Sequence, residues 1–426
     1  MKAKGNCKRL GDLLLFNARG IQPEYADTGL PVINSKHVLR NEILYDNDNR
    51  RALGGGNNNF LIQSGDVLIN GTGVGTIGRA AVYLRESPAL PDNHVTILRP
   101  NDNLNPAYLA VFLNSLAGQL QVDQRLRGSS GQIELYPTDI AEFQVWIAPK
   151  ALQLTIRKLV EQSYALRQGA TSHLSAAEQT LLKALGLDTW TPPEALSYVR
   201  ASSQAFAAGR LDAEHFQPRF AALAAMMNTK GNCGRLGSEL LVNTRGKQPE
   251  YTDTGMLVIN SKHVLRNEVC CGDDNRRAVF DDESLLIQTD DVLINGTGVG
   301  TIGRAAAYLH KAPALPDNHV TILRPNNKLD PVYLAVFLNS LAGRLQVDQR
   351  LRGSSGQIEL YPADIAEFQI WIAPKSLQLD IRRLVEQSYA HRQHAARLLD
   401  AAKRAVEIAI EDSEAAALAY LAQASA

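Results

Sequence analysis

The chain has 426 residues, 45% apolar and 21% charged, with 44 basic and 44 acidic side chains and a formal net charge of zero. That length allows two or three domains with full cores, and zero net charge excludes a nucleic-acid binder that works by bulk attraction alone. No run of eighteen apolar residues reads as a membrane span, and the opening MKAKGNCKRLGDLLLF lacks the apolar core of an export signal, so a cytoplasmic home is expected.

Short apolar runs at residues 30–33, 67–69, 81–83 and 95–98 predict strands. Directly after the second comes GTGVGTIG (71–78), whose Gly73, Gly75 and Gly78 have the G-x-G-x-x-G spacing of a dinucleotide-binding turn, with Asp92 where a ribose-binding acid would stand. That fingerprint needs a helix opening at the third glycine to hold the pyrophosphate. The residues after Gly78 are RAAVYL and then Pro88 and Pro91, too short a stretch for that helix, so a hairpin or bulged turn with positive-φ glycines is predicted. A helix is predicted from Asn105-Pro106, an N-cap followed by proline in the first turn, to near Ser115. Residues 139–143 lead to a strand at Val145-Trp146-Ile147, broken by Pro149. From 152 to 185, Ile156, Leu159, Ser163, Leu166, Ala170, Leu174, Ala177 and Leu181 recur at spacings near three and four, the seam of a long helix that needs a partner.

The chain is then written a second time. INSKHVLRNE (33–42) returns at 259–268, GTGVGTIGRAA at 296–306, PDNHVTILRP at 316–325 and RLRGSSGQIELYP at 350–362. The offset drops from 226 to 225 where GGGNNNF (54–60) faces FDDESL (280–285). Residues 376–426 repeat the seam through Ile381, Leu384, Ser388, His391, Ala395, Leu398, Ala402, Ala405 and Ala409. The expected fold class is α+β: two similar mixed α/β domains, 1–150 and 228–375, joined by two long antiparallel, coiled-coil-like helices, 151–187 and 376–426, about a pseudo-two-fold. A linker is expected at 188–227.

The succession GDVLINGTGVGTIGRAAVY, PDNHVTILRP, NPAYLAVFLNS, RGSSGQIELYPTDI, Pro149 and a long heptad-like helix, present twice, resembles the target recognition domain and conserved helix of type I restriction-modification specificity subunits. The resemblance implies a non-catalytic subunit that reads double-stranded DNA. Each domain would take one half of an interrupted site, and the helices would dock two adenine-N6 methyltransferase subunits, through which endonuclease/translocase subunits join. S-adenosylmethionine would sit on the methyltransferase, with no cofactor or metal on this chain. Two features depart from the family. Ile147-Ala148-Pro149-Lys150 and Ile372-Ala373-Pro374-Lys375 stand where many members read P-L-P-P, and the two domains are nearly alike, which implies a near-palindromic target.

Base edges and phosphates are read by amides, hydroxyls, guanidinium groups and backbone N–H groups. Three clusters supply them in each copy. The first is Asn34, Ser35, Lys36, His37 and Arg40, with Asn260, Ser261, Lys262, His263 and Arg266; the same residues also suit a solvated turn at a strand end. The second is Asn70, Thr72, Thr76 and Arg79, with Asn295, Thr297, Thr301 and Arg304, around the glycines. The third, dense in donors, is Arg125, Arg127, Ser129, Ser130 and Gln132, with Arg350, Arg352, Ser354, Ser355 and Gln357. His94 reads as structural, Arg50-Arg51 as balancing the acidic run 46–48, and Tyr136 and Trp146 as packing. Two other readings stay open: a nucleotide-binding enzyme using GTGVGTIG, and a scaffold binding protein.

Overall fold

The computed structural model describes residues 5–45, 49–53, 60–73, 75–128, 133–272, 275–279, 282–353 and 358–424. The chain forms two compact units, one of Met1–Gln168 with His391–Ala426 and one of Gly169–Ala390.

In the first unit a four-stranded antiparallel sheet runs in the order Leu14–Arg19, Val95–Pro100, Val67–Asn70, Ala80–Val82. Three of these strands, Val95–Pro100, Val67–Asn70 and Ala80–Val82, carry short apolar runs because both faces are covered, whereas Leu14–Arg19 is only partly buried. Val67, Ile69, Ala80 and Leu98 enter a core shared with helices, whereas Leu68, Ala81, Val95 and Ile97 enter a second core with Ile33, Val38 and Ile62. A smaller sheet, Leu90–Pro91, Leu30–Ile33, Arg51–Ala52 and Tyr25–Ala26, begins with a parallel pair. The helix Pro106–Asn114 starts where its cap predicts: the Asn105 side chain accepts from the N–H groups of Ala107 and Tyr108 at 3.0 and 3.3 Å. Such a cap contributes about 1 kcal/mol. Residues 107–114 of this helix are all buried, with the Tyr108 hydroxyl donating to the Trp146 carbonyl at 2.7 Å. The helix Leu116–Arg125 comes immediately after; its sequence, LAGQLQVDQR, carries too weak an apolar stripe to be anticipated.

The second unit repeats both sheets: Leu240–Arg245, Val320–Pro325, Val292–Asn295, Ala305–Ala307, and Tyr251–Thr252, Arg277–Ala278, Met256–Ile259, Leu315–Pro316. Its helix Pro331–Asn339 is capped by Asp330 in the same way. Part of the linker folds onto this unit. The helix Pro218–Asn228 buries Phe220, Leu223 and Met227, and Arg210 and His215 bond the carbonyls of Leu351 and Gln349 at 3.0 and 2.7 Å.

The helices Lys150–Leu185 and Lys375–Glu411 pack together along the expected seam. In the first unit Ile156 and Ser163 are buried with Ala395, Ala402, Ala405 and Ala409, and the Ser163 hydroxyl donates to the Ala395 carbonyl at 3.0 Å. In the second, Ala177 and Leu181 share a core with Ile381 and Val385. Opposite ends of the two helices are thus neighbours in each unit, as in an antiparallel pair, and the alanines and serines on the seam let the backbones approach closely. Among the described residues no helix is long and apolar enough to cross a membrane.

Candidate nucleic-acid interface

The stretch 71–79 joins strands Val67–Asn70 and Ala80–Val82, which pair antiparallel with Ile69 opposite Ala80. Gly73, Gly75 and Gly78 have φ of 104°, 75° and 77°, the left-handed region that side chains other than glycine rarely enter. A Cβ on Gly78 would lie 2.7 Å from Val122, and one on Gly71 would lie 2.6 Å from the Arg19 guanidinium. The chain leaves Gly78 as a strand, so the helix N-terminus that a dinucleotide pyrophosphate needs is not built here. The same hairpin recurs around Gly298, Gly300 and Gly303.

Asn70 ties this hairpin to the first cluster. Its side chain is wholly buried, and its amide lies within 2.9 Å of the Ser35 carbonyl, 3.1 Å of Val38 and 3.2 Å of Thr76, donating across all three. Asn295 does the same to Ser261, Val264 and Thr301. Both amides, counted among the candidate readers from the sequence, are buried here and hold the loops together. His37 is also buried: its Nδ1 accepts from the Asn34 N–H at 3.1 Å and faces the Asn49 amide at 3.2 Å. His263 repeats this with Asn260 and Asn275. These histidines hold the turn; Asn34 and Ser35 are half-buried on it, while Lys36, Lys262 and Arg266 are exposed and Arg40 is exposed with its guanidinium end partly covered. Burial and then the nearby charge of Arg79 hold the Arg40 pKa below its ordinary value, with Asp123 opposing. Two guanidinium groups within each other's field are poised for an anion.

Arg19, missed in the sequence, joins the hairpin to the third cluster. Its guanidinium donates to the Gly71 and Leu135 carbonyls at 3.2 and 3.0 Å and to Glu134 at 3.4 Å, and Leu135 N–H donates to the Gly71 carbonyl at 2.9 Å. Arg245 binds Gly296, Leu360 and Glu359 in the second unit. The Tyr136 hydroxyl first, and then Arg19, hold the Glu134 carboxyl below the usual carboxylate range. Thr72, half-buried, is within 2.6 Å of Nδ1 of His94, and Thr297 within 2.7 Å of His319. No periodicity or local motif marks Arg19, His94 or Glu134, because their partners lie twenty to over a hundred residues away.

Within the third cluster the arginines differ. Arg125 is half-buried, donating to the Gln121 and Glu142 carbonyls with its guanidinium 5.4 Å from the Phe143 ring; Arg350 likewise binds the Gln346 and Glu367 carbonyls. Both close the C-terminal end of a helix. Arg127 and Arg352 are mostly exposed while each pairs with a buried carboxylate, Asp139 and Asp364. Ser129, Ser130, Gln132, Ser354, Ser355 and Gln357 lie outside the described residues. In each unit, then, a buried asparagine and a half-buried arginine tie the described parts of three segments together, in the first unit residues 34–40, 70–73 with 75–79, and 125–128 with 133–136. They present Lys36, Arg40, Arg79, Arg127 and backbone groups of a glycine turn, an array of donors suited to phosphate and base edges. Among the described residues no group of side chains suits a metal ion.

The fold and this site define a duplicated mixed α/β protein with a polar loop surface in each copy. No family model and no curated protein matches the chain. Among solved structures it is similar to the S subunit of a type I restriction-modification system from M. genitalium, with 14% identity and a TM-score of 0.45, covering 94% of this chain and 96% of that one. It is also similar to the HsdS subunit from Thermoanaerobacter tengcongensis, with 16% identity and a TM-score of 0.29, covering 98% and 95%.

Proposed function

We propose that the chain is the non-catalytic DNA-specificity subunit of a type I restriction-modification complex. Each domain reads one half of an interrupted, near-palindromic site, and the paired helices carry two adenine-N6 methyltransferase subunits that bind S-adenosylmethionine; endonuclease/translocase subunits join through them in the cytoplasm. The observation that carries this reading is the convergence of the three donor-rich loops, built twice with the same keystones, Asn70 and Arg19, Asn295 and Arg245. Like surfaces read like half-sites. With zero net charge, binding by the subunit alone is weak and the partners supply part of the attraction. The test is to map methylated adenines in DNA from cells that carry this subunit and its methyltransferase. The expected result is one bipartite motif with two similar halves, and weaker binding of both halves when Arg127→Ala and Arg352→Ala are combined. An absence of any sequence-dependent methylation, or footprints indifferent to sequence, would favour the scaffold reading instead.

A further inference from the structure

We infer that Arg50 and Arg276 each read a guanine, one in each half-site, from a guanidinium group stacked flat on Tyr25 and Tyr251. This deepens the proposed DNA-recognition role and rests on it. The central guanidinium carbon lies 3.5 Å from the Tyr25 ring centroid in the first unit and 3.4 Å from that of Tyr251 in the second. Those separations match the optimum contact of about 3.5 Å between planar carbon groups, so each guanidinium lies over the ring face. Both arginines are exposed, and the stack is repeated in both copies.

The backbone beneath each stack is fixed on two sides. The Arg50 carbonyl accepts from Val32 N–H at 2.8 Å, and the preceding Asn49 amide donates to the Val32 carbonyl and faces His37 of the first donor cluster. Arg276 and Asn275 repeat this with Val258 and His263. The neighbouring arginines are engaged differently, since Arg51 and Arg277 donate to the Gly29 and Gly255 carbonyls at 2.7 and 2.9 Å and so close a turn. Among the described residues no acceptor takes the side-chain N–H groups of Arg50 or Arg276. The stack of the second unit lines an open cavity of about 340 Å³ with Thr252, Asp253 and Asn275. A free arginine is a mobile charge, whereas one stacked on a ring has its plane set, and its coplanar donors match the O6 and N7 acceptors on the major-groove edge of guanine.

The experiment uses the complex with its methyltransferase, on duplexes carrying the mapped site. Arg50→Lys and Arg276→Lys are made separately, and each guanine of the site is replaced in turn by 7-deazaguanine, which lacks N7. The expected result is a loss of about 10- to 100-fold in discrimination at one guanine of one half-site for Arg50→Lys, and at the equivalent guanine of the other half for Arg276→Lys. The same two positions lose binding on 7-deaza substitution with the unchanged protein, and the untouched half-site reports that each variant is folded. A loss independent of base, with a shallower salt dependence, would make these arginines phosphate contacts and overturn the inference, as would an unchanged motif or a site without guanine. Failure of the broader reading looks different: the unchanged complex itself would show no sequence preference.

Discussion

The buried amide of Asn70 donates to the carbonyl of Ser35 at 2.9 Å, and 225 residues later Asn295 donates to Ser261 at 3.0 Å. One side chain at a strand end thereby sets the distance between the 34–40 turn and the glycine hairpin. Replacing Asn70 by Ala leaves the Ser35, Val38 and Thr76 carbonyls short of a donor, at a cost of about 1–3 kcal/mol. We expect a lower melting temperature together with weaker binding of one half-site only. A melting temperature unchanged within error would show that water replaces the amide without loss.

Asp66 and Asp291, each 1% exposed at the side chain, accept two bonds from Arg99 and Arg324. Asp66 also accepts from the Gln63 N–H at 2.7 Å. Asp66→Ala strands a half-buried cation and an amide, and should cost about 3–5 kcal/mol. Chemical denaturation measures this, and Asp66→Asn, which keeps the acceptor for Gln63, should fall between the variant and the native chain.

Two glycines of one loop should respond differently to alanine. At Gly78 the backbone is left-handed and a Cβ would meet Val122 at 2.7 Å, whereas at Gly75 the φ is similar and nothing lies within 4 Å. Gly75→Ala carries the backbone term alone, about 1–2 kcal/mol, and Gly78→Ala costs more by the clash. Equal melting temperatures for the two variants would show that Val122 moves aside freely.

Burial holds the Asp92 and Asp317 carboxyls above their usual range, with the His94 and His319 N–H groups opposing. A native state that keeps its carboxyl proton longer than the unfolded chain loses stability as pH rises from the ordinary carboxylate value, about 4, through the raised value, and is unaffected below that window. Asp92→Asn keeps an acceptor for His94 and has no charge to bury. Its melting temperature relative to the native protein should therefore be more favourable at pH 7 than at pH 4. A difference that does not change with pH would place the charge in contact with water.

Much of the local structure was legible along the chain. The caps at Asn105 and Asp330 start helices where expected, the strands fall within one or two residues of their apolar runs, and the seam from Ile156 to Leu181 lies where the long helices meet. The helix Leu116–Arg125 was not legible, because its residues meet the core through Gly118, Gln121 and Val122 and leave Leu116 and Leu120 exposed. The candidate site divided in the same way. Lys36, Arg40 and Arg127 are exposed, whereas Asn70 and His37, donors of the same kind in the sequence, are buried in the fold.

By itself the sequence determined the duplication, visible when the chain is compared with itself, and also the hairpin that replaces a dinucleotide turn and the apolar seam of each long helix, which depend on neighbours within one turn or one strand: glycine backbone freedom, apolar spacing and caps. Only the tertiary structure decided which polar groups face water. Arg19 reaches Leu135 across more than a hundred residues, and Arg50, at the start of the strand Arg51–Ala52, finds Tyr25 on the neighbouring strand of a small sheet. Whether an amide or a guanidinium group supports a loop or waits for a ligand depends on the dielectric and the acceptors around it, and those are assembled only when distant segments pack.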